Sequence, residues 1–269
     1  RAVTERFIDC LVAQSYSNFQ LILIDDGSSD GTSEMVQEKI NNAMVLKGKG
    51  DWWWAGSLQQ GINWLKANKV SEREIVMFAN DDITFEPDFL MNASNILQDL
   101  DSTLLLPYLR NEKTGLPEES GLKCDWQSFS FKHAPSPDQV DCLPTRGLFM
   151  RMQDLVRIGN FHTRLLPHYG SDYEFTIRAH KMGFKLLTSA NLVISLDRDQ
   201  TGYRKFETMG FTMFLRRYFS KRSVLNPVYQ TSFIMMAAPL KHIPKSLFKV
   251  WRSSLVQIVS KLRKAFKKR

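Results

Sequence analysis

The stretch QLILIDDGSSDGTSEM, residues 20–35, decides the fold prediction. Its aliphatic residues 21–24 run into the carboxylates of Asp25 and Asp26, a pattern that is typical of the end of a buried strand. A glycine and a group of small polar residues follow, and the apolar positions after them have helical spacing. The stretch therefore predicts a strand, a turn and a helix, with two carboxylates at the carboxyl end of the strand.

Outward from this stretch, strand-like and helix-like segments alternate along the chain. The predicted helices cover residues 5–15, 31–40, 56–68 and 87–99, and the predicted strands cover 19–25, 43–48 and 74–81. Such alternation is typical of an α/β domain in which helices flank a mostly parallel central sheet. Residues 110–145 carry glycine, proline and serine with little periodicity, and they are predicted to be irregular or to form short strands.

The third predicted strand, at residues 74–81, also leads into an acidic pair, Asp81 and Asp82. In open α/β sheets, ligands bind outside the carboxyl ends of the strands, so we expect both acidic pairs to face one crevice. Crowded carboxylates repel each other unless a cation or a hydrogen-bond donor lies between them. A divalent metal or the N–H groups of a nucleotide base would meet that demand.

The composition is that of a globular protein whose charge is unevenly distributed. The chain has 269 residues, of which 43% are hydrophobic and 24% charged, enough for a sizeable core. Three widely spaced cysteines match neither a disulfide framework nor a zinc site and favour a reducing compartment. Residues 1–203 carry 20 basic and 27 acidic residues, whereas residues 204–269 carry 16 basic and one acidic. We therefore predict a folded body over 1–203 and a basic helical region over 204–269.

Large apolar residues lie between the lysines and arginines near the C-terminus. At near-helical spacing they are Leu247, Val250, Trp251, Leu255, Ile258, Val259, Leu262 and Phe266. The pattern predicts an amphipathic helix that associates with an anionic membrane surface. The alternative is a solvated helix that packs this apolar stripe against the body. Nucleic-acid binding is disfavoured, because the aromatic residues share the apolar stripe instead of alternating with basic residues on one face.

Four motifs follow one another between residues 21 and 184. They are LILIDDGSSDGT (21–32), GDWWWAGSLQQGINW (50–64), FANDDITFEPDFL (78–90) and SDYEFTIRAHKMGF (171–184). Together they resemble the inverting family 2 glycosyltransferases, and the tryptophan motif resembles their rhamnosyl- and galactofuranosyl-transferase branch. The resemblance covers about residues 1–200 and implies the GT-A fold, an α/β fold that binds nucleotide-sugars.

The resemblance implies a donor site at the ends of the first and third predicted strands. Asp25 and Asp26 would bind the nucleotide base. Asn80, Asp81 and Asp82 match the metal-binding motif of the family, with Asp82 in its last position. The implied cofactor is Mg²⁺ or Mn²⁺, which would act as a Lewis acid on the departing diphosphate.

The resemblance also implies a catalytic base and a sugar-binding surface. Asp172 matches the base that takes the proton of the acceptor hydroxyl, and one carboxylate on the attacking face suffices for inversion. Glu174 is expected to orient the acceptor, and Trp53, Trp54 and Gly56 to contact a sugar, because sugar C–H faces pack on aromatic rings. Two alternatives remain open: the carboxylates could serve only a helix start, and the tryptophans could be partly buried beneath a loop.

Three features depart from the family pattern. The opening strand of the family ends just before the position of Arg1, so we expect a chain without it to bind donor poorly. The histidine that completes the metal shell in many members has no counterpart in residues 191–202, where Asp197 and Asp199 are the candidate replacements. Ser171 stands where the catalytic motif of the family begins with an acidic residue.

The leading hypothesis is an inverting glycosyltransferase on the cytoplasmic face of the cell membrane. It would move a sugar from a nucleotide-diphosphate donor to a lipid-linked or polysaccharide acceptor in cell-surface glycan synthesis, such as that of lipopolysaccharide. The alternative is a non-catalytic protein with the same fold that binds or scaffolds other molecules at the membrane. Asp82 and Asp172 favour the enzyme, whereas the missing histidine favours the alternative.

Overall fold

The computed structural model describes residues 1–116, 121–196 and 209–266. Its α-helices are α1 (Ala2–Val12), α2 (Thr32–Lys39), α3 (Trp53–Ala67), α4 (Phe89–Leu97), α5 (Met152–Ile158), α6 (Ser171–Lys181), α7 (Phe211–Tyr218), α8 (Pro227–Ala237) and α9 (Ile243–Phe266). Its strands are β1 (Ile22–Asp25), β2 (Met44–Lys47), β3 (Ile75–Phe78), β4 (Ile83–Phe85), β5 (Thr103–Asn111), β6 (Leu122–Asp125), β7 (Ser130–His133), β8 (Leu148–Arg151) and β9 (Lys185–Leu196). Short 3-10 helices lie at Pro137–Gln139 and Leu240–His242.

The strands of the described ranges pair in three sheets. β1 and β2 form a parallel pair, and β6 and β7 form a small antiparallel pair. The largest sheet has the order β3–β8–β5–β9–β4, in which β5 and β9 are parallel and the other neighbours are antiparallel. Helices from both halves of the chain cover these sheets, so the architecture is a mixed α/β fold.

The predicted alternation of strands and helices is confirmed from α1 to β3, whereas the strand β4 between β3 and α4 was not predicted. The prediction of a mostly parallel sheet needs correction, because it holds for only two pairs, β1–β2 and β5–β9. Only residues 79–82 connect β3 to β4, whereas a parallel neighbour needs a crossover of about a dozen residues. β4 is not a parallel neighbour of β3: it lies at the opposite edge of the sheet, and β8 runs antiparallel along β3.

The main core lies between the five-stranded sheet and the helices that cover it. The leucines at positions 104–106 of β5 are fully buried, as are Ile8 of α1 and Ile62 of α3. Phe175 of α6 stacks on Phe161 with ring centroids 4.6 Å apart. This packing holds the N-terminus of α6 close to the start of α3, where the motifs of the sequence analysis converge.

The C-terminal helices pack on the body through a second, smaller cluster. Phe233 of α8 stacks on Trp126, with ring centroids 5.9 Å apart. α9 turns the small residues Ser246 and Ser254, together with Val250, towards the protein. Every helix in the described ranges is too short or too polar to cross a lipid bilayer. The predicted boundary at residue 203 and the candidate metal ligands Asp197 and Asp199 lie outside the described residues.

Candidate active site

Asp25 lies at the carboxyl end of β1 and is almost fully buried. One carboxylate oxygen accepts a hydrogen bond from the Ser28 N–H at 2.7 Å, and the other accepts one from the Ser33 hydroxyl. Burial raises the pKa of the Asp25 carboxyl, but the hydrogen bonds from Ser33 and Ser28 outweigh it, so the pKa lies below its ordinary value. Asp25 is therefore ionised at neutral pH and stabilises the turn into α2.

Asp26 holds the start of α3. Its carboxylate accepts hydrogen bonds from the backbone N–H groups of Gly50 at 2.8 Å, Trp52 at 2.9 Å and Trp53 at 3.1 Å. A carboxylate at a helix N-terminus satisfies unpaired N–H groups and interacts favourably with the helix dipole. Gly48 permits this approach, because a Cβ atom there would lie 2.5 Å from Asp26 Oδ1. No ligand tests the predicted contact of Asp25 and Asp26 with a nucleotide base, and it stays a prediction.

Asn80, Asp81 and Asp82 form the link between β3 and β4. Asp82 Oδ2 lies 3.5 Å from Arg146 Nη1, whereas the buried Oδ1 accepts no hydrogen bond from the described residues. Burial raises the pKa of the Asp82 carboxyl, with Arg146 opposing and Asp81 reinforcing the shift. Asp81 accepts a hydrogen bond from the Thr4 hydroxyl at 2.6 Å. The link thus contains one exposed carboxylate and one buried, incompletely paired carboxylate.

A divalent cation fits the chemistry of the Asp82 carboxylate. Its buried Oδ1 is a hard oxygen atom without a partner among the described residues, which is the kind of ligand that Mg²⁺ and Mn²⁺ take. Across the described ranges, no group of three or more histidine, cysteine, aspartate or glutamate side chains is arranged to hold a metal. Asp82, with Asn80 and Asp81 beside it, would therefore hold the cation together with donor phosphates.

The three tryptophans connect the two acidic pairs. Trp52, Trp53 and Trp54 are all half-buried, which agrees with the argument that three consecutive rings cannot share one face. The Trp53 N–H binds Asp26, and Trp54 Nε1 donates a hydrogen bond to the Thr145 hydroxyl at 3.0 Å. Thr145 directly precedes Arg146, which contacts Asp82. The tryptophan segment therefore connects the predicted base-binding residue Asp26 with the predicted metal-binding residue Asp82.

Asp172 lies in the first turn of α6, after a loop that contacts the tryptophan segment. α6 begins after Gly170, whose φ of +80° is in the left-handed region. The loop before it is fixed to α3, since the Ala55 N–H donates to the Pro167 carbonyl at 3.1 Å. Asp172 is half-buried and its Oδ1 accepts a hydrogen bond from the Tyr173 N–H at 2.9 Å. The structure therefore brings Asp172 and the tryptophan segment to the same side of the protein.

A histidine and an arginine flank the Trp53 ring. The Arg222 guanidinium lies 4.7 Å from the ring centroid, and the His168 ring lies at 6.4 Å, edge to face. Burial, followed by the charge of Arg222, lowers the pKa of His168 to about 4, so its imidazole is neutral at pH 7. The His168 Nδ1 atom is buried and has no hydrogen-bond partner among the described residues.

Two predicted sugar contacts disagree with the structure. Glu174 is 4% exposed, and its oxygens accept hydrogen bonds from Arg178 Nε at 2.9 Å and Nη2 at 3.1 Å. Glu174 and Arg178 form an i, i+4 ion pair within α6, and the buried carboxylate of Glu174 is not accessible to an acceptor. Gly56 is buried in α3, where a Cβ atom would lie 3.2 Å from the Cβ of Trp52. Both residues position α6 and α3, whereas Trp53 and Trp54 remain accessible.

Arg146, Arg222 and His168 were not among the predicted site residues. The sequence motif TRGLFM around Arg146 follows an irregular region, and Arg222 belongs to the basic region far along the chain. Only the folded chain brings Arg146 to Asp82 and Arg222 to Trp53. His168 had one available signal, its position four residues before Asp172.

A mixed α/β body that carries acidic pairs at two strand ends, next to a helix-start carboxylate, defines a protein of the GT-A class. Residues 1–155 match the family model described as glycosyl transferase family 2. Because this match covers more than half of the chain, the chain belongs to that family, as the motifs indicated. No curated protein matches the chain.

Solved structures of two glycosyltransferases have the same fold. GalNAc-T7, in a structure with UDP, GalNAc and Mn²⁺, is 11% identical with a TM-score of 0.57, over 91% of this chain and 51% of that chain. TarS of S. aureus is 16% identical with a TM-score of 0.56, over 89% and 47%. TarS 1-349 in complex with UDP-GlcNAc is 13% identical with a TM-score of 0.51, over 91% and 76%. The chain thus spans about half the length of the first two proteins, and the likeness shows the fold.

Proposed function

We propose that this chain is an inverting glycosyltransferase that moves a sugar from a nucleotide-diphosphate donor to a lipid-linked or polysaccharide acceptor in cell-surface glycan synthesis. One observation carries the proposal. Asp172 lies in the first turn of α6, and His168 in the loop before that helix contacts Trp53. The incompletely paired Asp82 contacts Arg146, whose neighbour Thr145 accepts a hydrogen bond from Trp54. The proposal assigns the acceptor proton to Asp172 and the cation that accompanies the diphosphate to Asp82.

Asp172 is the proposed general base. An acceptor hydroxyl that attacks the anomeric carbon from the face opposite the leaving group must lose its proton, and a positioned carboxylate can accept it. Asp172 lies in the first turn of α6, where a carboxylate interacts favourably with the helix dipole. Trp53, half-buried against the same loop, offers an apolar face for a sugar ring.

The donor is proposed to lie along β1 and the β3–β4 link. Asp25 and Asp26 would orient the nucleotide base, and Asp82 with Asn80 and Asp81 would hold a divalent cation. That cation would neutralise charge on the departing diphosphate. The UDP and Mn²⁺ in the GalNAc-T7 structure, and the UDP-GlcNAc in the TarS structure, support a donor and a cofactor of these classes.

Helix α9 is proposed to hold the protein on the cytoplasmic face of an anionic membrane. Of the eight residues in its apolar stripe, Val250 is buried and Leu247 packs beside it, whereas Trp251, Leu255, Leu262 and Phe266 are exposed, so most of the stripe is not covered by the body. At 3.6 residues per turn, the stripe is centred about 120° around the helix from the buried face. α9 also carries six lysine and arginine residues and no acidic residue. An exposed apolar stripe edged with basic residues is the chemistry of an interfacial helix.

A non-catalytic protein with the same fold remains the second candidate. The observation that favours it is the sparse metal-ligand set, since the described residues contain no cluster of three metal-binding side chains. Such a protein would bind a nucleotide-sugar or a glycan without transferring the sugar. The two candidates differ in whether Asp172 is needed for turnover.

Replacement of Asp172 by asparagine tests the proposal. Asp172→Asn keeps the shape of the side chain but removes the proton acceptor, so transfer should fall by roughly 10²–10⁴-fold while donor affinity changes little. The donor would first be chosen by calorimetry with UDP-, dTDP- and GDP-sugars, with and without Mn²⁺. Transfer would then be measured at saturating donor on lipid-linked and soluble glycan acceptors.

Asp88→Asn is the matched control, because Asp88 also lies at a helix start, that of α4, and its carboxylate contacts Asn92. This variant should keep wild-type turnover. Turnover of Asp172→Asn within a few-fold of wild type, at an unchanged melting temperature, would remove Asp172 as the base. Absence of transfer by the wild type, with donor binding intact, would favour the non-catalytic candidate.

A further inference from the structure

Arg146 contacts Asp82 through one long ionic contact. The Nη1–Oδ2 distance is 3.5 Å, and the two side chains are 23% and 18% exposed. A guanidinium carries five N–H donors, and a strong arginine–carboxylate pair uses two of them at about 2.7–2.9 Å. None of the described residues accepts a hydrogen bond from Arg146, whose only ionic contact among them is the one with Asp82.

The backbone on both sides of Arg146 is fixed. The hydroxyl of Thr145 accepts a hydrogen bond from Trp54 Nε1 at 3.0 Å. The Gly147 N–H donates to the Phe78 carbonyl at 2.8 Å, which ties the start of β8 to the end of β3. Because β3 leads directly into the link that contains Asp82, these bonds hold a positive charge next to the predicted metal-binding carboxylate.

Asp82 and Arg146 both lack hydrogen-bond partners among the described residues. Asp82 Oδ1 is buried without a hydrogen bond from the described residues, and the guanidinium of Arg146 has one distant oxygen. A partly buried ion pair that is incompletely hydrogen-bonded is costly, because desolvation is not fully offset. A ligand with phosphate oxygens for Arg146 and an associated cation for Asp82 would supply both missing partners.

We propose that Arg146 binds the diphosphate of the nucleotide-sugar donor, as a fixed positive charge beside the divalent cation. The diphosphate is then retained in part when the cation is absent. The inference rests on the proposed function, since it assigns a further residue to the same donor site. The competing role is structural: in that case Arg146 only neutralises Asp82, and its replacement affects all ligands of the site equally.

The test compares ligands that differ in phosphate alone. Calorimetry would measure the binding of uridine, UMP and UDP to the purified protein, first in EDTA and then in Mn²⁺, with the thymidine and guanosine series in parallel. In EDTA, Arg146→Gln should weaken UDP binding at least tenfold and leave uridine binding within twofold of wild type. Arg146→Lys should lose less, since it keeps the charge but not the planar fork.

Arg6→Gln is the matched control. Arg6 lines the small cavity beside Asp81 and Asp82 and pairs with Glu112 at 2.6 Å, so its loss changes the local charge without touching Arg146. It should leave the ratio of UDP to uridine affinity unchanged.

Three results would overturn the inference. The first is a loss of UDP affinity below twofold in Arg146→Gln, and the second is an equal loss for uridine and UDP. The third is equal affinity of the wild type for uridine and UDP in EDTA. If Mn²⁺ then raised the affinity for UDP, the proposed function would stand and only the role of Arg146 would be refuted. A wild type that binds no nucleoside and no nucleotide of the three series would contradict both proposals. Melting temperatures of the variants verify that each is folded.

Discussion

The exposed apolar stripe of α9 predicts a measurable affinity for anionic membranes. Phe248, next to the stripe on the exposed side of α9, and the stripe residues Leu255 and Phe266 are 69%, 63% and 67% exposed. Replacement of all three by serine should release the protein from vesicles. The folded structure should tolerate the change, because exposed substitutions away from special contacts usually alter stability by about 0.5 kcal/mol or less.

The size of the effect follows from these exposures. Complete transfer of a leucine or phenylalanine side chain out of water is worth about 1.5–3 kcal/mol. Since about two-thirds of each side chain is free to enter the lipid interface, each substitution should cost about 1–2 kcal/mol of membrane binding. The triple variant should therefore lose about 3–6 kcal/mol, which corresponds to a fall of roughly 10²–10⁴-fold in the partition coefficient.

The assay is cosedimentation with vesicles of phosphatidylserine and phosphatidylcholine at 0.1 M and 0.5 M salt. Higher salt should weaken wild-type binding, because it screens the basic residues of α9. A control triple variant with serine at Val12, Met91 and Val156 removes exposed apolar side chains from other helices and should bind like wild type. Wild-type binding by the α9 variant would refute the anchor. Deletion of residues 245–269 is a weaker test, because it also removes the buried Val250.

Three further outcomes are expected. Asp82→Ala should abolish the Mn²⁺-dependent part of nucleotide-diphosphate binding in calorimetry, and an unchanged response to Mn²⁺ would exclude Asp82 from the site. The variant should not have a lower melting temperature, because burial disfavours the charged form of Asp82. Glu174→Ala should lower the free energy of unfolding in urea by about 3–5 kcal/mol, since it leaves Arg178 without its buried partner, and a loss below 1 kcal/mol would contradict this. His168, with its pKa lowered to about 4, binds a proton more readily when unfolded, so wild-type stability should fall as pH drops from about 6.5 to 4. His168→Phe should lack that fall, and an identical pH profile of stability in both proteins would argue against a neutral buried imidazole.

The sequence by itself determined the local elements and the chemistry placed at their ends. Aliphatic residues 21–24 form a strand and the spacing after Gly31 forms a helix, because side-chain periodicity fixes which face of a segment is apolar. The same reasoning placed Asp26 directly after a strand, where the structure has it, whereas β3 ends at Phe78 and Asp82 lies in the link just before β4. The order of the four motifs indicated the family, and the match over residues 1–155 confirmed it.

Other features were decided by contacts between distant segments. Arg146 reaches Asp82 because β8 runs back along β3, a pairing that no periodicity within either strand encodes. The burial of Glu174 against Arg178 likewise depends on how α6 packs on the body.

The tertiary structure also decided the orientation of α9. Its sequence is amphipathic in either of the predicted arrangements. In the structure Ser246, Val250 and Ser254 face the body, and Leu255 and Phe266 are exposed. The physical reason is general to these cases. A sequence pattern shows which face of a segment is apolar. Which other segment covers that face depends on the free energies of all the contacts that the folded chain allows.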